Sequence, residues 1–259
     1  MRTLATVLVT LLWAGWLQAA VHTETVSYQH EGVTLNGHLA YDDAVSGKRP
    51  GILVVHEFWG LNDYAKKRAE QLAQMGYVAF ACDMYGEGKS FEHPKEAGEM
   101  MGKMRENIAL WQGRAKASLA VLQKNDRVDP KKIGAIGYCF GGATVLQLAY
   151  LGADVNAVVS FHGALPVATA GQAKNIKAKI LICHGADDAH IKIEDVEKFR
   201  APLKDAKVDY QINIYGGATH SFTVPGVDQR GMSGLRYNAE ADHRSWREMQ
   251  DLFGEVFGR

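Results

Sequence analysis

Charge of one sign is missing from this chain: 29 Lys and Arg balance 29 Asp and Glu across 259 residues. A balanced surface offers no electrostatic footprint for nucleic acid or an anionic membrane, so neither is expected as a partner. Metal-ligand spacing is lacking too. The chain has no H-E-x-x-H and no paired cysteines, so His184 and His190, which flank Asp188, read as ordinary side chains. No metal and no cofactor is expected. Cysteine is scarce, and three is an odd number that no disulfide framework uses up. Repeats and low-complexity stretches are absent. What is present is 47% hydrophobic residues, enough at this length to bury one sizeable core without a second domain.

The longest apolar run lies at the start. Met1-Arg2-Thr3 is positive, Leu4 to Trp16 is continuous and mostly apolar, and small residues follow at Ala19 and Ala20. That is the form of a secretory signal peptide, too short for a comfortable membrane span, although Leu17 and Gln18 leave the cleavage box incomplete. The expectation is a signal peptide over 1–20, a single domain over 21–259, a periplasmic address and no membrane contact after cleavage.

From about residue 50, strand-like and helix-like segments alternate, which predicts an α/β fold with a mostly parallel central sheet flanked by helices. Expected strands are Ile52–Val55, Val78–Cys82, Ile133–Ile136, Ala157–Phe161, Ile180–Cys183 and Gln211–Tyr215. An N-terminal hairpin, Glu24–Tyr28 with Thr34–Tyr41, would add antiparallel strands at one edge. Residues Gly86–Met104 read as a mobile excursion beside the site.

The chemistry centres on Gly137-Tyr138-Cys139-Phe140-Gly141-Gly142. An apolar strand precedes it and a helix-like stretch follows. Strand, sharp turn and helix around G-x-C-x-G is the layout of a nucleophile elbow, with Cys in the place usually held by Ser. Side chains two positions either side would collide with the neighbouring strand or helix, which explains the glycines. A helix N-terminus aimed at the thiol would favour its thiolate. An elbow predicts an acid and then a His, each after its own strand. Both are present: Asp187 or Asp188 follows Ile180–Cys183, and His220 follows Gln211–Tyr215. Oxyanion donors should be the backbone N–H of the residue after the nucleophile, Phe140, and one from the loop after Ile52–Val55, Phe58.

Together these pieces resemble the dienelactone hydrolases, members of the α/β-hydrolase superfamily. The likeness rests on the Cys139 elbow, Gly185-Ala186-Asp187-Asp188, Gly217-Ala218-Thr219-His220-Ser221-Phe222, His56-Glu57-Phe58-Trp59-Gly60-Leu61-Asn62, and Gly76-Tyr77-Val78-Ala79-Phe80-Ala81-Cys82-Asp83-Met84-Tyr85-Gly86. The resemblance implies Cys139 as nucleophile, His220 as base and Asp188 as acid. Asp188 is preferred because the family pattern is G-x-x-D-x-x-V, with Ile191 in the last place. It also implies that Glu57 sits near the thiol and keeps it protonated at rest by like-charge repulsion, which would slow its oxidation. In this family's strand order Cys82 and Cys183 lie on strands that are not neighbours, so two buried free thiols are expected. His162 reads as a hydrogen-bonded core residue and His56 as structural. Trp59, Tyr85, Trp111 and Phe222 could form pocket walls, although most such residues are core.

Substrate is where the resemblance thins. The family holds its substrate carboxylate with two arginines. The stretch after His220 reads Ser221-Phe222-Thr223-Val224, so one is absent. Alignment on Trp111 puts Met104, not Arg105, at the other. The expected function is therefore hydrolysis of a small ester or lactone through a Cys139 acyl-enzyme, by a monomer. Alternatives are a periplasmic thioesterase or general carboxylesterase on the same residues, and a non-catalytic binding protein with this fold.

Overall fold

A computed structural model describes residues 21–258. The expected signal peptide falls outside them. One sheet of eight strands runs through the molecule in the order β1-β2-β4-β3-β5-β6-β7-β8. The strands are β1 (Val21–His30), β2 (Val33–Asp42), β3 (Arg49–Val55), β4 (Val78–Cys82), β5 (Val128–Tyr138), β6 (Ala157–Phe161), β7 (Lys179–Gly185) and β8 (Tyr210–Tyr215). From β4 to β8 every pairing is parallel, while β1, β2 and β4 pair antiparallel. The α/β fold with an N-terminal antiparallel hairpin is as the sequence predicts. The hairpin is longer than expected because Glu31 (φ 50°) and Gly32 (φ 76°) both adopt positive φ, the turn that suits a two-residue connection.

Burial on both faces explains the continuous apolar strands. In β3, Leu53 and Val55 join one core layer, whereas Ile52 and Val54 join the other. The first layer is roofed by α3 (Ile108–Gln123), α4 (Phe140–Tyr150) and α6 (Ile193–Asp205), the second by α1 (Asp63–Gln74) and α7 (Ala239–Phe257). Each such buried aliphatic side chain contributes roughly 1.5–3 kcal/mol. Two-sided burial demands a run without polar interruption, which is what makes these strands readable. Cys82 and Cys183 are buried free thiols on β4 and β7, three strands of the sheet lying between them.

The excursion after β4 differs from expectation. Asp83 pins its start, its carboxylate accepting backbone N–H bonds from Asn36, Tyr85, Gly86 and Gly88 at 2.7–3.0 Å. Its second half is a helix, α2 (Pro94–Glu106), entered through a proline in its first turn and burying Ala97 and Met104. Apolar side chains at helical spacing, among them Met100, Met101 and Met104, anchor it to the core. The glycines and lysines between them hide that period from the sequence.

Candidate active site

The elbow is built by collision avoidance. Cys139 sits between β5 and α4 at φ 52° and ψ −110°, a strained conformation for a side-chain-bearing residue that costs of order 1–3 kcal/mol. A Cβ at Gly137 would lie 2.0 Å from the carbonyl oxygen of Gly141, and one at Gly141 would lie 2.2 Å from that of Val55. Only glycine lets strand and helix close this tightly around the thiol. Cys139 stands just ahead of Phe140, the first residue of α4, so its sulfur faces the positive end of a helix dipole.

The structure brings the expected three side chains together. His220 Nε2 lies 3.1 Å from Cys139 Sγ, and His220 Nδ1 lies 2.7 Å from Asp188 Oδ2. Asp187 only donates its backbone N–H, to Ala218. Asp188 Oδ1 accepts the backbone N–H groups of His190 and Ile191 at 2.8 and 3.0 Å. Burial pushes the Asp188 carboxyl up, but His220 and those two amides outweigh it and hold it below its usual range. His220 is raised to about 10. Burial opposes the imidazolium, yet the sulfur of Cys139 and the carboxylate of Asp188 stabilise it more strongly.

Glu57 follows β3. It is 2% exposed, and its Oε1 accepts from the Ser221 hydroxyl at 2.6 Å while Oε2 has no partner. Burial pushes its carboxyl above the ordinary 4.5, with Ser221, His220 and Arg230 pulling the other way. Burial thus favours its acid form more than water would. His162 sits nearby, fully buried, with Nε2 2.7 Å from the Thr223 hydroxyl and Nδ1 3.9 Å from Glu57. Burial keeps its pKa well below normal, so the Glu57 contact is no ion pair. His56 is a structural residue whose Nε2 accepts the Met84 N–H at 3.3 Å.

Above the sulfur lies a cavity of about 300 Å³. Phe58, Met101, Ala164, Ile191, Met232 and Leu235 make it apolar, with His190 and Arg105 among its edges. Arg105 corrects the alignment that favoured Met104. On α2 Met104 turns into the core, and the next residue, a step of about 100° on, reaches the cavity. Helical phase would have shown this had α2 been recognised. Trp59, Tyr85, Trp111 and Phe222 are buried. Sequence reading missed Ser221 entirely, because nothing local marks a serine whose partner is 164 residues away. Among the described residues no group of three or more His, Cys, Asp or Glu is placed to hold a metal.

A family model, the dienelactone hydrolase family, matches residues 35–257. The chain belongs to this family. A dienelactone hydrolase-like promiscuous phosphotriesterase from metagenomic libraries has a crystal structure that superposes with a TM-score of 0.89 at 40% identity, covering 92% of this chain and 99% of that one. Protein usf of Aquifex pyrophilus is 33% identical over 204 residues, 77% of this chain and 86% of its own. A Synechocystis sp. protein named as a candidate carboxymethylenebutenolidase is 31% identical over 250 residues, 90% of this chain and 96% of its own. The dienelactone hydrolase family thus accounts for the chain from within β2 to the end of α7.

Proposed function

We propose that this hydrolase cleaves small esters or lactones through an acyl-enzyme on Cys139. The observation that carries the reading is the unbroken line Cys139 Sγ, His220, Asp188 at an elbow open to an apolar cavity. His220 takes the thiol proton as the sulfur attacks, and Asp188 stabilises the imidazolium that forms. The sulfur attacks the carbonyl carbon, and the N–H groups of Phe140 and Phe58 hold the oxyanion. His220 gives its proton to the leaving oxygen. Water then passes a proton to His220 and attacks the thioester carbon, releasing the acid and restoring Cys139. Asp188 accepts the Nδ1 hydrogen bond throughout, fixing the ring.

The apolar walls favour a short hydrocarbon acyl group, and Arg105 supplies one cation at the edge. With one arginine in place of the family's two, neutral esters should compete well with carboxylate-bearing lactones. The test is turnover of p-nitrophenyl acetate, a dienelactone, a thioester and a phosphotriester by wild type and Cys139→Ala. Ester or lactone turnover that vanishes in the variant supports the reading. Preferred thioester or phosphotriester turnover, also Cys139-dependent, would move the substrate class, and no turnover at all would favour a binding protein. The apolar run at Leu4 to Trp16 further supports export to the periplasm. Cell fractionation and N-terminal sequencing check this, with Val21 expected as the first residue of the mature chain.

A further inference from the structure

The cavity above Cys139 continues past Arg105. A second, of about 350 Å³, meets it along Arg105, Ala164 and Ile191. Neither Cys139 nor His220 lines this second space, so whatever fills it lies away from the reacting carbon. One wall is Leu165-Pro166-Val167, the segment after β6, and Trp111 of α3 and Ala143 of α4 form another. Val167 is about half exposed, as are Ile108 and Ile193, the first residues of α3 and α6. Both helices contribute to the cavity, α3 through Trp111 and α6 through Asp195 and Lys198. Six large apolar side chains are exposed among the described residues, and these elements carry three of them. Exposed apolar side chains gathered around one opening mark a binding surface, whereas single scattered ones do not.

Polar groups on these walls are paired within the protein. Trp111 donates its indole N–H to the Thr144 hydroxyl at 2.8 Å, and the Pro166 carbonyl accepts from the Tyr150 hydroxyl at 2.6 Å. Lys198 pairs with Asp195 at 3.3 Å. Such walls favour hydrocarbon over a polar group that would find no partner. Arg105, exposed at the junction, can keep its guanidinium in water while its methylene stem borders the passage. Position in the sheet gives the direction. Phe58, the oxyanion donor after β3, lines the first cavity but not the second. Ala164 and Ile191 follow β6 and β7, on the other side of β5 and Cys139. Ile191 also donates its N–H to Asp188, whose other oxygen holds His220. The leaving oxygen takes its proton from His220, so the alcohol lies toward that side. We propose that the second cavity is a subsite for the alcohol part of the ester and selects alcohols with a linear hydrocarbon chain, which rests on the Cys139 acyl-enzyme.

The experiment measures kcat/KM of the protein for ethyl, butyl and hexyl acetate, beside p-nitrophenyl acetate with its Cys139→Ala control. The three alkoxides leave equally well, so chain length reports binding in the acylation step. A rise of about tenfold or more from ethyl to hexyl acetate is expected, as added methylenes leave water. The hexyl-to-ethyl ratio should fall about threefold or more in Val167→Asp, which sets a charge on the apolar wall, and be kept in Val167→Leu. Heat-denaturation curves confirm that both variants are folded. A flat alkyl series, with Cys139-dependent turnover of p-nitrophenyl acetate, overturns the subsite and leaves the acyl-enzyme standing. No turnover of p-nitrophenyl acetate overturns the acyl-enzyme and the subsite with it. A ratio unchanged in folded Val167→Asp overturns the proposal as well. So does a rise with acyl length, from p-nitrophenyl acetate to hexanoate, that the alkyl acetates do not share, since the cavity would then belong to the acyl group.

Discussion

Two loops at the carboxyl ends of parallel strands each carry a buried acid toward His220, and they treat it in opposite ways. The loop after β7 surrounds Asp188 with His220 and two backbone N–H groups, and the carboxyl is held below its usual range. The loop after β3 leaves Glu57 with Ser221 on one oxygen and nothing on the other, and burial pushes it up. Burial alone does not decide the charge of a carboxyl; the number of donors that reach it does. Asp188 is built to remain an anion beside an imidazolium, whereas the surroundings of Glu57 favour its acid form.

Substitution tests that contrast most strongly by activity. Asp188→Asn should lower kcat/KM by about 10⁴-fold, since the ring loses both its fixed tautomer and its counter-charge. Glu57→Gln keeps an oxygen for Ser221 and leaves Cys139, His220 and Asp188 untouched, so its loss should be no more than about tenfold. Steady-state kinetics on a p-nitrophenyl ester compare the two, and equal losses would break the contrast.

The pH profile sharpens it. His220 must be protonated to release the leaving group, so kcat/KM should fall as pH rises through about 10 in the wild type. Without the Asp188 carboxylate the imidazolium is less stable, and the alkaline limb should move to lower pH in Asp188→Asn. In Glu57→Gln it should stay closer to the wild-type position, because the Asp188 hydrogen bond to His220 Nδ1 is kept. Rate profiles from pH 6 to 11 would reveal either shift.

Stability separates the acids next. A carboxyl raised in the folded state contributes stability that is complete below its unfolded value, ordinarily 4.5, and lost as pH rises through the folded value. Glu57→Gln should therefore be more stable than wild type at pH 8, by about 1–3 kcal/mol, with the gain shrinking toward pH 4. For Asp188, whose carboxyl is depressed, the sign reverses: its contribution is present at pH 8 and fades with acid, so Asp188→Asn should lose stability at pH 8. Denaturant melts at the two pH values measure both. The smallest effect expected is none at all. Sulfenic-acid formation on Cys139 should proceed at the same rate in wild type and Glu57→Gln, and a faster rate in the variant would support the like-charge account.

The site was legible where chemistry is local. G-x-C-x-G between a strand and a helix announces Cys139 because steric exclusion acts within five residues, as Gly137 and Gly141 show. Asp188 and His220 could be placed because each follows a strand legible in composition, β7 as a run buried on both faces and β8 as a partly exposed edge strand. Asp188 was separated from Asp187 by the family pattern, not by its surroundings. The helix α2 and the reach of Arg105 were not legible, because the apolar period there is broken by Gly98 and Gly102 and only tertiary packing selects the inward face.

By itself, the sequence determined the parallel α/β sheet, the order nucleophile, acid, base, and the elbow geometry, since these follow from side-chain burial and short-range sterics. Tertiary structure alone decided the burial of Glu57 and the pairing of Ser221 with it across 164 positions. It also decided the meeting of Arg230 with Trp59. Charge and hydrogen bonding in a buried site depend on which donors arrive from distant strands, and that information exists only once the sheet has closed.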